Sequence, residues 1–550
     1  MTNIQDDFSN DILELSPRRR WAVTVGVMTG MFLAALEATV IATAMPTVIA
    51  SVGGMTHYSW VFSAYLLAAT VTVPIWGKLS DLYGRRPLYQ AGIGIFLLGS
   101  VLSGLSQTMN QLIIFRAIQG MGAGALVPLG MTIVGDIYTL RERAKMQGFF
   151  SGVWGVASVI GPLLGGFITD QLSWRWVFFV NVPVGLAAAV IMGVALREPK
   201  RSSKPEIDYV GALTLTASVT MLMLALVEAG SLSDFLRLRN LALLAGSAIL
   251  GFLFIRIERT APEPVVPLDL FRNRVVSVTV IAGFLAGIAM FGAITYVPLF
   301  AQGGRGVSAT EAGSMLTPLM LSWVMMSIIG GRLLLRIGFK PMVITGFASL
   351  ALSFIIFSTF DATTPRLWLI LDLCLMGSGL GLSMLTLLLA IQQSVPRSQL
   401  GITTSLNQFS RSIGGAVGVA VMGAILTASF HTASLNIAQT SAPRSQARAI
   451  EAEVLINPAA QRGIPAPTLT ALRTALVDSI RNVFHAGAVA SILGLITCFW
   501  LPNLSAVAAA RADRQPLPDC GEQMLMAEIT MIDASHEPEA LESSVDPAPS

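Results

Sequence analysis

The chain is 550 residues long, 53% of them hydrophobic and only 12% charged, with a formal net charge of +3. Soluble domains carry about 25% charged residues, so this chain lacks the polar surface needed to cover itself in water. The composition excludes an ordinary soluble protein. We expect a lipid bilayer as its environment and no nucleic-acid partner.

Long apolar segments recur along the chain. A hydrocarbon core of about 30 Å needs about 20 residues of helix, and the segments are rich in Gly and Ala without the alternation typical of barrel strands. The sequence therefore predicts an all-α polytopic membrane protein with fourteen spans. In chain order these are predicted at 21–48, 58–77, 88–106, 111–135, 146–169, 176–196, 209–228, 240–257, 275–300, 311–335, 341–360, 367–392, 402–428 and 483–502.

The regions outside the spans differ in character. Residues 1–20 are polar and precede an apolar segment too long for a signal-peptide core, so we expect an uncleaved cytoplasmic segment. Residues 429–480 are predicted to form a partly helical extracytoplasmic loop, and 504–550 a disordered cytoplasmic tail. Three cysteines and four scattered histidines form no ligand spacing, so we expect no disulfide, no metal site and no enzyme chemistry.

Lys and Arg are concentrated in alternate connections, which predicts the orientation of the chain. Basic residues in short loops are retained in the cytoplasm. We therefore expect a protein of the inner (plasma) membrane with both termini on its cytoplasmic side. The basic connections contain Arg18 to Arg20, Lys78, Arg85, Arg86, Arg141, Arg143, Lys145, Arg197, Lys200, Arg201, Lys204, Arg256, Arg259, Arg272, Arg274, Arg332, Arg336, Lys340 and Arg397. The opposite short loops contain Arg175, Arg237, Arg239, Arg305 and Arg366.

Parts of the chain repeat in order. The basic turn 77–87, after span 2, returns in weaker form at 331–341, and two small motifs recur at offsets of 252 to 257 residues. Spans 1–6 thus correspond to spans 9–14, with spans 7 and 8 inserted. The predicted units are an N-terminal six-helix bundle at 21–200, the inserted pair with its loops at 201–270, and a C-terminal bundle at 271–503. Secondary transporters use two such related halves to expose a central substrate site to each side of the membrane in turn.

Five motifs on the predicted spans resemble those of the major facilitator superfamily. Segment 77–87 resembles the signature loop after span 2, 116–120 the span 4 motif, and the glycines from 152 to 166 the antiporter motif of span 5. Segments 36–46 and 174–183 narrow the resemblance to the fourteen-span drug:proton antiporters. The resemblance covers about residues 20 to 505.

Two residues depart from the pattern of that family. Glu37 stands where the family usually has Asp, and Ala42 where it often has Asn. The first change keeps the charge but adds a methylene, and the second removes a polar group next to the expected proton site.

The resemblance implies proton-coupled multidrug efflux, and hence antibiotic resistance, by alternating access. Substrates would be amphipathic, hydrophobic or cationic small molecules. The chain has no nucleotide-binding loop, so we expect no cofactor and the proton gradient as energy source. A monomer is the expected assembly, although no residue pattern indicates it. Export of a lipid or an endogenous metabolite remains an alternative on the same scaffold, and a receptor or sensor without transport is a further one.

Glu37 and Arg116 are the candidate proton-coupling residues. Glu37 follows Trp21 by sixteen residues, about 24 Å of helix, and an ionised carboxylate at that depth is costly. It can exchange a proton between access states, or remain protonated in a hydrogen bond to a neighbouring helix. Arg116 keeps its charge and needs a partner; the resemblance implies that it assists proton movement, and helix packing is the alternative.

Asp372 and Arg411 pose the same question in the second half. Both fall within predicted spans. Each is a possible functional charge site, or a structural group that pairs locally or extends toward the interface.

The first basic turn is implied by the resemblance to be a conformational latch. An acidic side chain would pair with a basic neighbour and with the positive end of a helix from the other half, while a topogenic loop is the alternative. In the second copy Leu335 replaces the acidic residue, which makes the latch one-sided. The latch residues are Gly77, Asp81, Gly84, Arg85 and Arg86.

Span 5 contains the antiporter motif. Small residues permit close helix contact and proline permits a bend, whatever is transported. The motif residues are Gly152, Gly155, Gly161, Pro162, Gly165 and Gly166.

Overall fold

The computed structural model describes residues 15–52, 58–198, 208–228, 235–307, 309–441 and 465–503. Regular structure in these ranges is helical throughout, which confirms the all-α prediction. The long helices are labelled α1 Pro17–Val52, α2 Tyr58–Tyr83, α3 Arg85–Leu105, α4 Met109–Ile137, α5 Leu140–Gln171, α6 Asn181–Ala195, α7 Tyr209–Glu228, α8 Leu238–Glu258, α9 Arg274–Leu299, α10 Thr317–Ile337, α11 Phe339–Phe357, α12 Arg366–Gln393, α13 Leu400–Ser441 and α14 Ala466–Phe499.

Shorter helical segments join some of these helices. They are Trp176–Phe179 before α6, Ala309–Ser314 before α10, 3₁₀ turns at Leu268–Arg272 and Arg397–Gln399, and a π-helical turn at Phe300–Gly304 after α9.

The number of membrane spans is close to the prediction. Thirteen helices in the described ranges are long and apolar enough to cross a bilayer. The remaining predicted span, 146–169, lies within α5, which is 32 residues long but is not among those thirteen. Fourteen spans therefore stay a prediction, consistent with the helices present.

Local sequence explains where several helices begin. The Thr108 side chain accepts a hydrogen bond from the N–H of Gln111, 3.3 Å away, at the start of α4, and Thr139 and Glu142 form a capping box at the start of α5. Gly84 and Gly338, between α2 and α3 and between α10 and α11, have positive φ of 96° and 91°. Because only glycine adopts such a backbone at little cost, the repeated turn of the sequence is also a repeated backbone geometry.

Corresponding helices pack in corresponding ways. In the first half α2 and α3 pack on α4, and α1 packs on α5; in the second half α10 and α11 pack on α12, and α9 packs on α13. The halves meet along two seams, α2 with α13 and α5 with α10. Helices α7 and α8 pack on each other, and α7 also contacts α2 and α13.

The core of the second half is aromatic. The rings of Phe357 and Phe484 stack with centroids 4.0 Å apart. On α14, Gly487 and Gly494 lie directly against the rings of Phe354 and Phe347 on α11. A Cβ at either glycine would overlap the ring, so the small residues permit this close helix contact.

The region 429–480, predicted to be a partly helical extracytoplasmic loop, is helical over nearly all of its described residues. Helix α13 continues to Ser441 and α14 begins at Ala466, and residues 442–464 between them lie outside the described ranges. The polar residues that suggested a loop are tolerated because serine and threonine hydroxyls bond back to the helix, as Thr432 does to the carbonyl of Ala428 at 3.0 Å. The tail 504–550 and most of the segment 1–20 also lie outside the described ranges.

Candidate transport site and charge latch

A buried ion pair joins Glu37 on α1 to Arg116 on α4. Nη1 of Arg116 donates to Oε1 of Glu37, and each side chain is only 1% exposed. The pair brings together two residues that the sequence identified separately as buried charges. Because removal of one partner would strand the other charge in an apolar interior, the two side chains depend on each other.

Arg116 makes three further contacts. Its Nε donates to the carbonyl oxygen of Val61 at 3.3 Å, and its Nη1 donates to Oε1 of Gln119 at 2.7 Å. The guanidinium lies over the ring of Tyr65, 4.2 Å from the centroid, a cation–π geometry. The arginine is therefore held by α2 and its own helix as well as by Glu37.

Glu37 is held from the opposite side by Asn181, at the start of α6. Nδ2 of Asn181 donates to Oε2 of Glu37 at 2.5 Å and lies 3.0 Å from Oγ of Ser100, which also accepts from Nε2 of Gln119 at 3.2 Å. The amide oxygen of Asn181 is buried and has no hydrogen-bond partner in the described part of the chain. Five helices of the first half, α1, α2, α3, α4 and α6, thus meet at one polar cluster.

This arrangement suits proton exchange coupled to movement. Protonation of Glu37 would remove the charge that pairs with Arg116, while Gln119, Val61 and Tyr65 would still solvate the guanidinium. The carboxylate is closed off from solvent in this conformation, so a proton reaches it only when the helices around it move apart.

Asp372 and Arg411 do not form a pair. Both carboxyl oxygens of Asp372 are buried without a hydrogen-bond partner among the described residues, and its backbone carbonyl accepts from Ser353 at 3.2 Å. Arg411, half-buried on α13, contacts Oε1 of Gln408 and, at 3.5 Å, the sulfur of Met384. The second half has no counterpart of the Glu37–Arg116 pair at these two positions.

Asp81 bridges the two halves at the end of the molecule where the Lys- and Arg-rich connections lie, called here the basic end. Its Oδ1 accepts from the N–H of Gly401 at 3.0 Å and its Oδ2 from the N–H of Ile402 at 2.7 Å, so it caps α13 of the other half. Oδ1 also pairs with Nη1 of Arg85. Arg85 in turn donates from Nε to Oδ2 of Asp136 at 2.9 Å. A carboxylate at a helix N-terminus is favoured by the unpaired N–H groups and the helix dipole.

Gly77 allows α2 and α13 to approach closely enough for the hydrogen bonds between Asp81 and the N-terminus of α13. A Cβ there would lie 2.9 Å from the carbonyl oxygen of Gly401 and would overlap the side chain of Ser405. At the start of α3, Glu198 accepts the N–H groups of Arg85 and Arg86 at 2.8 and 2.9 Å. Glu198 was not identified from the sequence, since it lies 112 residues from Arg86.

The second copy of the turn meets the other seam without a carboxylate. Gly331 on α10 packs against Ala144 in the first turns of α5, where a Cβ would lie 2.5 Å from the carbonyl oxygen of Ala144. Leu335 occupies the position equivalent to Asp81. The N-terminus of α5 is capped instead from within, by Thr139 and Glu142.

The antiporter-motif residues have different surroundings. Gly161 lies against Thr39 of α1, where a Cβ would overlap the threonine side chain, and Gly155 faces Val324 at 3.8 Å. Gly152 and Gly166 have open space at the Cβ position, so close packing explains Gly161 and not these two. Gly165 is buried, and Pro162 lies within α5.

The molecule is closed at its basic end. Besides the Asp81 contacts, Nε2 of Gln392 on α12 reaches the carbonyl oxygen of Met131 on α4 at 3.4 Å, and Nη2 of Arg85 the carbonyl of Arg397 at 3.5 Å. Together with the two Asp81 bonds to α13, these contacts make four hydrogen bonds that join the two halves at this end.

Sequence reasoning missed four members of the polar cluster: Tyr65, Ser100, Gln119 and Asn181. Gln119 and Asn181 lie inside motifs that were recognised at 116–120 and 174–183, so the signal was present. Their role could not be inferred because hydrogen bonds between helices depend on which faces meet.

Two packed helical halves, a buried charge pair in the first and a charged contact between them are the features of a membrane transporter and not of an enzyme. Comparison with known sequences agrees. The chain belongs to the Major Facilitator Superfamily, which matches residues 27–419.

Named relatives support the resemblance to drug exporters. The Multidrug transporter protein MdtP of Bacillus subtilis (strain 168) is 38% identical, with 90% of this chain and 96% of that protein covered. Multidrug resistance protein 3 of the same strain is 35% identical, covering 87% and 94%. The crystal structure of the human organic anion transporter MFSD10 (TETRAN) has a TM-score of 0.56 at 16% identity, covering 86% of this chain and 100% of that one; this likeness concerns the fold.

Proposed function

We propose that the protein is a proton-coupled exporter of amphipathic, hydrophobic or cationic compounds, located in the cytoplasmic membrane with both termini inside. The observation that supports this most directly is the buried Glu37–Arg116 pair. The multidrug names of the two Bacillus relatives support the substrate class.

In the proposed cycle Glu37 alternates between a charged and a protonated form. The charged form is stable while Arg116 and Asn181 hold it, because taking an ion out of water costs several kcal/mol unless it is paired. A proton entering from the outer side neutralises the carboxylate and loosens α1 from α4. A cationic substrate entering from the cytoplasm favours the charged form and drives the proton inward.

The latch controls which side is open. With Asp81 bonded to α13, the basic end is closed. Hydrogen bonds to a charged group contribute about 1.5–3 kcal/mol each, enough to bias an equilibrium without freezing it. Opening toward the cytoplasm requires these bonds to break.

No cofactor is required in this scheme. Protons are the co-substrate, the bilayer is the solvent, and a monomer is sufficient because one chain contains both halves, the charge cluster and the latch.

The test is transport by purified protein in proteoliposomes with an imposed pH difference, using lipophilic cations, neutral drugs and labelled phospholipids. We expect lipophilic cations to move in one direction while protons move in the other, and both fluxes to be lost in Glu37→Gln. Glu311→Gln, a partly exposed carboxylate paired with Arg366 at 3.8 Å, is the matched control. Undiminished proton-driven transport by Glu37→Gln would remove Glu37 from the mechanism, and transport of phospholipid alone would favour lipid export.

A further inference from the structure

A large groove lies between α1, α5 and α10. Its volume is about 1690 Å³, above the roughly 300–1,000 Å³ of sites for drug-sized molecules. It lies beside the seam where Gly331 meets Ala144 and does not include the Glu37–Arg116 cluster.

The groove has one basic end and one apolar wall. Four exposed cations line the basic end: Arg141, Lys145, Arg332 and Arg336. None of the four forms an ion pair with a residue of the described ranges. The one lining carboxylate, Glu142, pairs with Arg20 at 3.2 Å and bonds to Thr139. The basic end therefore has an excess of positive charge.

The apolar wall continues from the basic end toward the middle of the bilayer. Its side chains include Phe32 of α1, Phe149 and Val156 of α5, and Ile328 of α10. On the same face of α5, Ile160 and Phe167 are 42% and 61% exposed further along. The apolar wall is thus continuous with exposed apolar residues of α5, a surface suited to acyl chains of lipid.

Asymmetry between the two seams accounts for the unbalanced charge beside the second one. At the α2–α13 seam, Asp81 places its carboxylate against the N-terminus of α13. At the α5–α10 seam the equivalent Leu335 lines the groove and supplies no charge. The N-terminus of α5 is capped from within by Thr139 and Glu142, so the charge left unbalanced beside this seam is that of the four cations lining the groove.

We propose that this groove binds an anionic phospholipid of the cytoplasmic leaflet. The phosphate and the anionic headgroup lie among the four cations, and an acyl chain lies along the apolar wall. Basic pockets between transmembrane helices on the cytoplasmic side suit such headgroups. The bound lipid supplies, at the second seam, the negative charge that Asp81 supplies at the first. The proposal rests on the proposed orientation, but not on proton coupling.

The test measures lipid binding to the full chain by native mass spectrometry in detergent, with phosphatidylglycerol and phosphatidylcholine of equal chain length. We expect phosphatidylglycerol to bind more tightly, and Arg332→Gln/Arg336→Gln to weaken its binding about thirtyfold, since each basic residue near an anionic lipid contributes about a factor of five. Arg332→Lys/Arg336→Lys should retain binding, which separates loss of charge from loss of fold.

The control is Arg259→Gln/Arg272→Gln, which removes two exposed cations at the same end of the molecule but outside the groove. It should leave binding unchanged. Val156→Trp, which fills part of the groove beside the apolar wall, should weaken lipid binding with all four cations intact. Equal binding of the two lipids, equal loss in both double variants, or a dimer in which a second copy covers the groove would each overturn the proposal. Transport assays play no part, so failure here is separate from failure of the proposed function.

Discussion

Asn181 and Gln119 determine how the buried ion pair is held. Each amide contacts one member of the pair and also Ser100, so the two charges share one hydrogen-bonded frame across α3, α4 and α6. In the proposed cycle, a fixed frame of this kind would let the carboxylate gain or lose a proton while the arginine stays in place.

Removal of Arg116 alone should be more damaging than removal of the whole pair. Arg116→Leu leaves Glu37 buried without its cation, and we expect a loss of about 3–5 kcal/mol of stability. In Glu37→Leu/Arg116→Leu most of that loss should be recovered, although transport stays absent. Thermal unfolding in detergent measures both, and equal destabilisation in the single and double variants would contradict a mutual dependence of the two charges.

At this scale the sequence predicted the members of the pair but not the pairing. Glu37 and Arg116 are 79 residues apart, and their contact depends on how α1 and α4 are rotated against each other. For the same reason, the separation of Asp372 from Arg411 was not evident. An ionisable residue in an apolar helix signals a constraint, while its partner is a property of the packing.

The two seams differ in one contact between elements. At the α2–α13 seam, the end of α2 places a carboxylate on the N-terminus of α13, and the α5–α10 seam has no such contact. Asp81 is 6% exposed and bonds to two N–H groups at the α13 N-terminus. Because these groups belong to opposite halves, the bonds exist only while the basic end is closed.

Asp81→Asn should weaken the closed state at the basic end. The amide keeps the size of the side chain but loses the charge that pairs with Arg85 and the helix dipole, so we expect at least a tenfold shift toward opening, equivalent to about 1.4 kcal/mol. Distance measurements between spin labels on the basic ends of the two halves would report it. Asp269→Asn, in an 82% exposed pair with Arg272, is the control and should produce no shift.

Leu335→Asp should restore a second latch. The new carboxylate would face the first turn of α5 and the surrounding cations, stabilising the closed basic end. We expect slower turnover with unchanged substrate affinity, and Leu335→Asn as the uncharged control. Turnover as fast as in the unaltered protein would show that position 335 does not face the α5 terminus during the cycle.

The elements themselves were largely predictable. Hydropathy located the long helices to within a few residues in most cases, because a bilayer requires each segment to be apolar over a fixed length. It failed at α13 and α14, which continue well past the apolar stretch. The extensions are stabilised by packing: Phe430 of α13 and Leu472 and Leu476 of α14 belong to one buried apolar cluster, and hydropathy does not detect that.

In the whole molecule, the proposed cycle requires the two halves to rock about their two seams so that the closed basic end can open. Gly135 on α4 lies opposite Gln392 on α12. A Cβ at Gly135 would lie 3.5 Å from Nε2 of the glutamine. This contact joins the halves across the basic end.

Cross-linking of Gly135→Cys with Gln392→Cys in a background without native cysteines should arrest transport. A short thiol-specific cross-linker would hold the basic end closed, and a cleavable version should restore transport on reduction. Ser429→Cys with Asn482→Cys, 3.4 Å apart within the second half, is the matched control and should transport normally. Full transport by the cross-linked Gly135/Gln392 variant would contradict the rocking of one half against the other.

The length of α13 has a practical consequence for imaging. At 42 residues it is about 63 Å long, whereas a bilayer with its headgroups is about 40–45 Å thick. Since its N-terminus lies at the latch, the surplus emerges at the opposite face beside α14. A rigid protrusion there gives antibody fragments a handle on a particle otherwise hidden in its micelle, and so a fiducial for aligning images by electron cryomicroscopy.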